Sequence, residues 1–332
     1  MKILAIESSC DETAAAVFED EILLSNIIAS QEVHIEYGGV VPELASRAHI
    51  AKISAIVGKA LKSAHCTVED IDAVAATYGP GLAGSLIVGV TFAKGLALAH
   101  NLPFLGINHI EGHIFSASIE NSELRPPFLA LVISGGHSLL VLVQGVGTYQ
   151  ILGTTIDDAA GEAYDKVAKI IGLPYPGGPN IDNLASQGDE SFVKFPVARI
   201  KNQPYCFSFS GLKTAVLYKY RSLSEAEQNT HRADIAACFQ KAVIDAICPK
   251  ITAAMQEFNL EKMVMVGGVA RNSALRATMK ELSVKQRFQL FVPAGIFCTD
   301  NAAMIGKVAQ LRFANGEKSE LDLSVSPNLS ID

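Results

Sequence analysis

Apolar residues in this chain come in two rhythms: short runs fit for strands, and longer stretches of 3.6-residue period fit for helices. Lys2–Glu7 and residues 14–18 are short apolar runs joined by the polar turn Ser8-Ser9-Cys10-Asp11-Glu12-Thr13, which predicts a β-hairpin. The pattern returns at Phe128–Ile133 and 139–143, joined by Ser134-Gly135-Gly136-His137-Ser138. After the first hairpin the pattern predicts a helix over 43–64, a strand over 71–77, a Gly79-Pro80-Gly81 turn and a small-residue helix over 83–99. After the second it predicts an amphipathic helix over 157–171 and a rigid Pro/Gly loop over 174–179. A helix over 233–258, a strand Lys262–Val266, a Gly267-Gly268 turn and a helix from near Asn272 follow. Two hairpins, each heading half of the chain and each followed by helices, predict a duplicated α/β architecture with a cleft between its halves.

Composition narrows the setting. With 332 residues and 49% hydrophobic content the chain is long enough for two packed domains and too apolar to be mainly disordered. No secretory signal is read at the start, where Glu7, Asp11 and Glu12 come early. The apolar stretches 83–99 and 128–143 are broken by Lys94 and by Gly135-Gly136-His137, so no membrane span is expected and the predicted location is cytoplasmic. The six cysteines form no C-x-x-C pair and read as reduced thiols in packing positions. A net charge of −7 argues against a broadly basic nucleic-acid binder, so any RNA contact must be local or shared with a partner. Lys194, Arg199 and Lys201, then Lys213, Lys219 and Arg221, are the local clusters, with a solvated face as the plainer reading.

Candidate chemistry centres on Asn108-His109-Ile110-Glu111-Gly112-His113. At ~3.6 residues per turn, positions i and i+4 lie within roughly 40° of each other, so both imidazoles can meet one cation. The alternative is a pair of solvated or capping histidines. Glu111 at i+2 falls roughly 200° around, which departs from the H-E-x-x-H arrangement of zinc peptidases. Asp300, just ahead of a helix carrying Met304, Ile305, Val308 and Leu311, is either a remote third ligand or that helix's N-cap. Two histidines and one carboxylate would leave open positions on Fe(II), Zn(II) or Mn(II), which suits a Lewis acid. Three turns complete the set: Ser134 to Ser138 as a donor-rich phosphate cradle, Ser8 to Thr13 with Asp11 and Glu12 as carboxylates, and Gly267-Gly268 ahead of a helix start. The last lacks G-x-G-x-x-G spacing, which disfavours a dinucleotide enzyme. Asp158, Glu162 and Asp165 are predicted to share one helix face, with Glu162–Lys166 and Asp165–Lys169 as ordinary ion pairs.

Taken in order, Ile6-Glu7-Ser8-Ser9-Cys10-Asp11-Glu12-Thr13, residues 38–47, the His109/His113 helix, Ser134-Gly135-Gly136-His137, residues 157–166, Tyr175-Pro176-Gly177-Gly178-Pro179, residues 207–213 and Cys298-Thr299-Asp300-Asn301 resemble the TsaD family, the bacterial counterpart of the KEOPS catalytic subunit. The resemblance runs from the first strand to the last helix. It implies the α/β ASKHA fold (acetate/sugar kinase, Hsp70-like, actin-like): two lobes with a central nucleotide cleft. The lobes are expected at 1–125, with the metal helix, and 126–332, with the nucleotide turns and a last helix over about 300–315 packing back on the first lobe.

The implied reaction moves threonylcarbamoyl from threonylcarbamoyl-AMP to N6 of the tRNA adenosine 3′-adjacent to the anticodon, in ANN-decoding tRNAs. His109, His113 and Asp300 are then the metal ligands, for iron or sometimes zinc. Ser134, Gly135, Gly136, His137, Ser138, Asp165, Gly178, Asp182 and Asn272 are the contacts to the adenylate or to ATP or ADP. Ser138 stands where a Thr often closes the family's turn and keeps the hydroxyl. Asp11 or Glu12 would accept the amine proton. The implied partners are tRNA, a TsaB-like paralogue, a TsaE-like ATPase and a TsaC-like adenylate synthase, with no membrane. A metallopeptidase and a non-catalytic nucleotide-binding scaffold are the rival functions. The first is disfavoured by the position of Glu111, the second by the presence of all three ligand candidates.

Overall fold

The computed structural model describes every residue except Glu32, Gly38 and Asp332, so the first glycine of the 38–47 stretch lies outside the described residues. The chain opens with an antiparallel meander, β1 (Lys2–Glu7), β2 (Thr13–Glu19) and β3 (Ile22–Ala29). Then come α1 (Val33–Tyr37), α2 (Pro42–Ser63), β4 (Ala73–Gly79), α3 (Ala83–His100), β5 (Phe104–Asn108) and α4 (His109–Phe115). Strand β4 pairs parallel to β1 and β5 parallel to β4, giving the order β3-β2-β1-β4-β5.

The second series repeats this plan. It runs β6 (Phe128–Ile133), β7 (Ser138–Gly145), β8 (Thr148–Thr154), α5 (Ala160–Ile170), α6 (Gly177–Ala185), α7 (Ser210–Arg221), α8 (Glu225–Thr230), α9 (Arg232–Glu257), β9 (Lys262–Val266), α10 (Ser273–Gln286) and β10 (Gln289–Phe291). Its sheet order, β10-β9-β6-β7-β8, is the same topology read from the other edge. Two closing helices, α11 (Gly295–Cys298) and α12 (Ala302–Ala314), follow. Two compact units result: Met1–Leu124 with Pro293–Asp332, and Arg125–Val292.

Central strands buried on both faces lose the polar alternation of a half-exposed strand. Ile3 to Ile6 in β1 and all six residues of β6 are buried accordingly. In the first unit α2 and α3 pack against β2 and β4, while α12 lies against β1 and β2. Gly306 of α12 permits that approach, because a Cβ there would meet the Phe18 ring at 2.6 Å.

Three local readings are corrected. Helix α5 starts at Ala160 rather than 157, because the Asp157 carboxylate accepts from the backbone N–H groups of Phe209 and Ser210 and from the Ser208 hydroxyl. Asp158 therefore shares no helix face with Glu162 and Asp165. It pairs with Lys166 at 2.8 Å and Lys213 at 3.2 Å, while Glu162–Lys166 forms at 2.7 Å and Asp165 accepts from Gly177 N–H. The Pro/Gly run is only partly a loop: Gly177 begins α6 with Pro176 at its N-cap, since a first turn tolerates proline where no intrahelical N–H bond is required. The strand read at 71–77 is β4 and runs Ala73–Gly79, two residues later, as Asp70 and Ile71 close a short 3-10 turn.

Candidate metal centre

Strands β1, β4 and β5 run parallel, so their carboxyl ends share one edge of the first sheet, where open α/β sheets place their ligands. Helix α4 starts there at once, its first N–H groups taken by the Asn108 side chain. That cap aims the first turn of α4, and with it His109, across the ends of β1 and β4.

His109 and His113 are buried at 6% and 1% exposure, which excludes the solvated reading. Their rings meet edge to face at 4.7 Å, and Nε2 of each approaches the same Asp300 oxygen, at 3.5 and 3.1 Å. One ligand atom from each of the three residues fits within 4.8 Å of the others. Asp300 is spared the capping task. The Asn301 side chain accepts the Met304 N–H at 3.0 Å and caps α12 instead.

The residues fit a divalent cation. Two imidazoles converge through their Nε2 atoms on one carboxylate oxygen, two nitrogen donors and one oxygen donor of the kind that hold such an ion. Glu111 takes no part. It is buried on the far side of α4 and forms an ion pair with Arg312 of α12 at 2.9 Å, so no glutamate is available as a peptidase base on this helix.

A fourth acid, absent from the predicted site, stands behind His109. Glu7 ends β1 fully buried and accepts from Ser9 N–H, from the Thr77 hydroxyl and, at 3.2 Å, from His109 Nδ1. Its signal in the sequence was an acid closing a strand otherwise buried on both faces, a position carboxylates occupy only when paired. Burial opposes charge on both groups. The carboxylates of Asp300 and Glu7 nevertheless hold the His109 imidazolium up at about 9, and His109 in turn keeps the Glu7 carboxyl below its ordinary range. Of the two acids on the Ser8 to Thr13 turn, Glu12 is pushed up to about 10 by burial and by Asp300 and Asp11. The Cys10 thiol is raised by the same burial and the same charges.

The remaining candidates lie in the second unit. Parallel β6 and β9 end side by side, bringing the Ser134 to Ser138 turn beside Gly267, whose φ is +95° and where a Cβ would meet Ile133 O at 2.4 Å. Ser138 Oγ accepts Ala160 N–H at the start of α5, and Ser134 Oγ accepts His137 N–H. A Cβ on Gly135, Gly136 or Gly178 would meet nothing within 4 Å, so packing does not require glycine at these positions. Asp182 and Asn272 are drawn together for another task. Asp182 holds Ser273 through its N–H and hydroxyl, and Asn272 caps α10 at Leu275 while donating to Gln240. Lys194 and Arg199 line a groove of about 640 Å³ with Lys250 and Asp245, whereas Lys213 is committed to Asp158.

A duplicated α/β chain whose first sheet carries, at its carboxyl edge, a His/His/Asp group able to hold a cation has the architecture of an ASKHA-type protein. The fold is shared with full-length HypF in its phosphate- and nucleotide-bound form (TM-score 0.65, 16% identity, 93% of this chain and 46% of that one). It is shared as well with T. kodakarensis HypF (TM-score 0.66, 14% identity, 95% and 48%). Residues 22–307 match the sequence profile of TsaD, tRNA N6-adenosine threonylcarbamoyltransferase, and the chain belongs to that family. Relatives bearing the same name include those of Clostridium botulinum strain Hall, 49% identical over 100% of this chain and 98% of theirs, and of Clostridium beijerinckii, 49% identical over 99% and 98%.

Proposed function

We propose that this chain transfers the threonylcarbamoyl group from threonylcarbamoyl-AMP to N6 of the tRNA adenosine 3′-adjacent to the anticodon. The observation that carries this reading is the convergence of His109, His113 and Asp300 in a chain half identical, over its full length, to relatives named for that reaction. His109, His113 and Asp300 would hold the cation, for which Fe(II) is our assignment and Zn(II) the second choice. When bound, the cation supplies positive charge beside the carbamoyl carbonyl.

The exocyclic amine of adenine is a weak nucleophile, since its lone pair is delocalised into the ring. Its attack forms the N–C bond, the bond from the carbonyl carbon to the phosphate oxygen breaks, and AMP departs with the electron pair. The amine proton needs an acceptor. Asp11 and Glu12, on the turn after β1, are our candidates for that acceptor. The Ser134 to Ser138 turn and Gly178 are our sites for the phosphate and adenosine, with Asp165, Asp182 and Asn272 supporting their frame. Lys194, Arg199 and Lys250 are our candidates for tRNA phosphate contacts. A TsaB-like paralogue would cover the exposed side of α3, where Ile87 and Leu98 are 51% and 72% exposed. That helix is also long and apolar enough to cross a membrane by length and composition, but it packs on β4 and α2. A TsaE-like ATPase and a TsaC-like adenylate supplier complete the set, in the cytoplasm.

The test is single-turnover transfer from preformed adenylate to tRNA. His109→Ala combined with His113→Ala is expected to abolish product while circular dichroism stays native. Undiminished transfer by the metal-free double variant would overturn the reading.

A further inference from the structure

We propose that Glu7 is a positioning residue for the cation site, a buried carboxylate that fixes the proton of His109 on Nδ1 and so presents Nε2, unprotonated, to the metal. The inference rests on the His/His/Asp reading of the site and adds to it a residue outside the ligand set.

The argument is one of donors and acceptors. Oε1 of Glu7 accepts Ser9 N–H, and Oε2 accepts the Thr77 hydroxyl and faces His109 Nδ1 at 3.2 Å. A backbone N–H can only donate. Thr77 Oγ donates to Oε2, so each Glu7 oxygen meets a donor of its own and the carboxylate is set to accept from Nδ1 as well. A carboxylate facing Nδ1 selects the tautomer with its hydrogen there. Nε2, the nitrogen turned toward Asp300, is then the one that gives up its hydrogen when a cation binds. Ser9 Oγ lies 3.0 Å from the same Nδ1 and can accept its hydrogen as well. Carboxylate–histidine–metal arrangements of this kind orient the ring and raise its basicity, and loss of the outer carboxylate typically costs about 10–100-fold in metal affinity.

Glutamine at this position keeps the shape and reverses one oxygen. Its NH₂ would oppose either the Ser9 N–H or the Thr77 and His109 donors, so Glu7→Gln disturbs the tautomer rather than the packing. Thr77→Val is a milder companion that removes one donor to Oε2 and touches no ligand.

The experiment is Zn(II) binding to the full chain by chelator competition, with no activity readout, together with long-range ¹H–¹⁵N imidazole spectra of the Zn-loaded protein. The wild-type chain is expected to bind one Zn(II) with His109 protonated on Nδ1. Glu7→Gln is expected to bind about 10–100-fold more weakly, and Thr77→Val to weaken binding by a smaller factor. Wild-type affinity in a folded Glu7→Gln protein, or a wild-type His109 metallated through Nδ1, would sink the inference while leaving the ligand trio intact. Failure of the wild-type chain itself to bind Zn(II) would sink both. Should Glu7→Gln not fold, Thr77→Val decides: unchanged affinity and an unchanged Nδ1 signal count against Glu7 as the positioning group.

Discussion

At the scale of single residues, the carboxyl edge of the first sheet concentrates more negative charge than the protein alone can offset. Glu7, Asp11, Glu12 and Asp300 influence one another there, and Glu12 bears the consequence, kept protonated up to about 10 from an ordinary value of 4.5. The sign of the linkage follows. Folded Glu12 keeps its proton to higher pH than unfolded Glu12, so its contribution to stability is full below 4.5, declines as pH rises and is gone above about 10. In chelator-treated protein, Glu12→Gln is therefore expected to flatten the fall of Tm across that window and to be the more stable protein at pH 8. A Tm profile parallel to wild type would show that Glu12 is ionised in the folded state. Neither Glu12's protonation nor Glu7's role was legible from residue type, because both depend on which charges the fold brings within reach.

At the scale of elements, α12 shows how neighbouring residues divide two tasks that sequence patterns merge. Asp300 and Asn301 are both good N-caps by type, and only the structure shows that Asn301 bonds Met304 N–H while Asp300 turns to the histidines. Asn301→Ala is expected to cost about 1 kcal/mol in urea denaturation, the usual worth of a cap. Asp300→Asn, which removes one of the crowded charges, should cost no stability in metal-free protein above about pH 9, where His109 is no longer an imidazolium for Asp300 to pair with. The reverse ranking would mean that Asp300 is the cap. The hairpins, the long helices over 43–64 and 233–258 and the strand Lys262–Val266 were readable from period and flanking turns, since their apolar spacing has no other good solution. The start of α5 and the helix inside the Pro/Gly run were not, because Asp157 and Asp165 bond to backbone groups distant in sequence.

At the scale of the whole molecule, the last forty residues belong with the first unit. Their attachment includes Glu111 of α4, 1% exposed, and Arg312 of α12, 24% exposed, bonded through two guanidinium nitrogens. Arg312→Met is expected to destabilise the chain by at least ~2 kcal/mol, short of the ~3–5 kcal/mol for a fully buried pair because Arg312 is partly exposed. The same substitution should weaken Zn(II) binding, because α12 carries the segment that places Asp300. A urea midpoint within error of wild type would show that the pair contributes little. The order of apolar runs determined the duplicated α/β plan, and the i, i+4 spacing placed two imidazoles on one helix face, since both are consequences of local backbone geometry. Only the tertiary structure decided that Asp300 completes the trio across 187 residues, that Glu7 backs His109 from β1, and that Glu111 is spent on Arg312. Those pairings arise from strand order and helix packing, through contacts between residues too far apart in the chain for any local pattern to register.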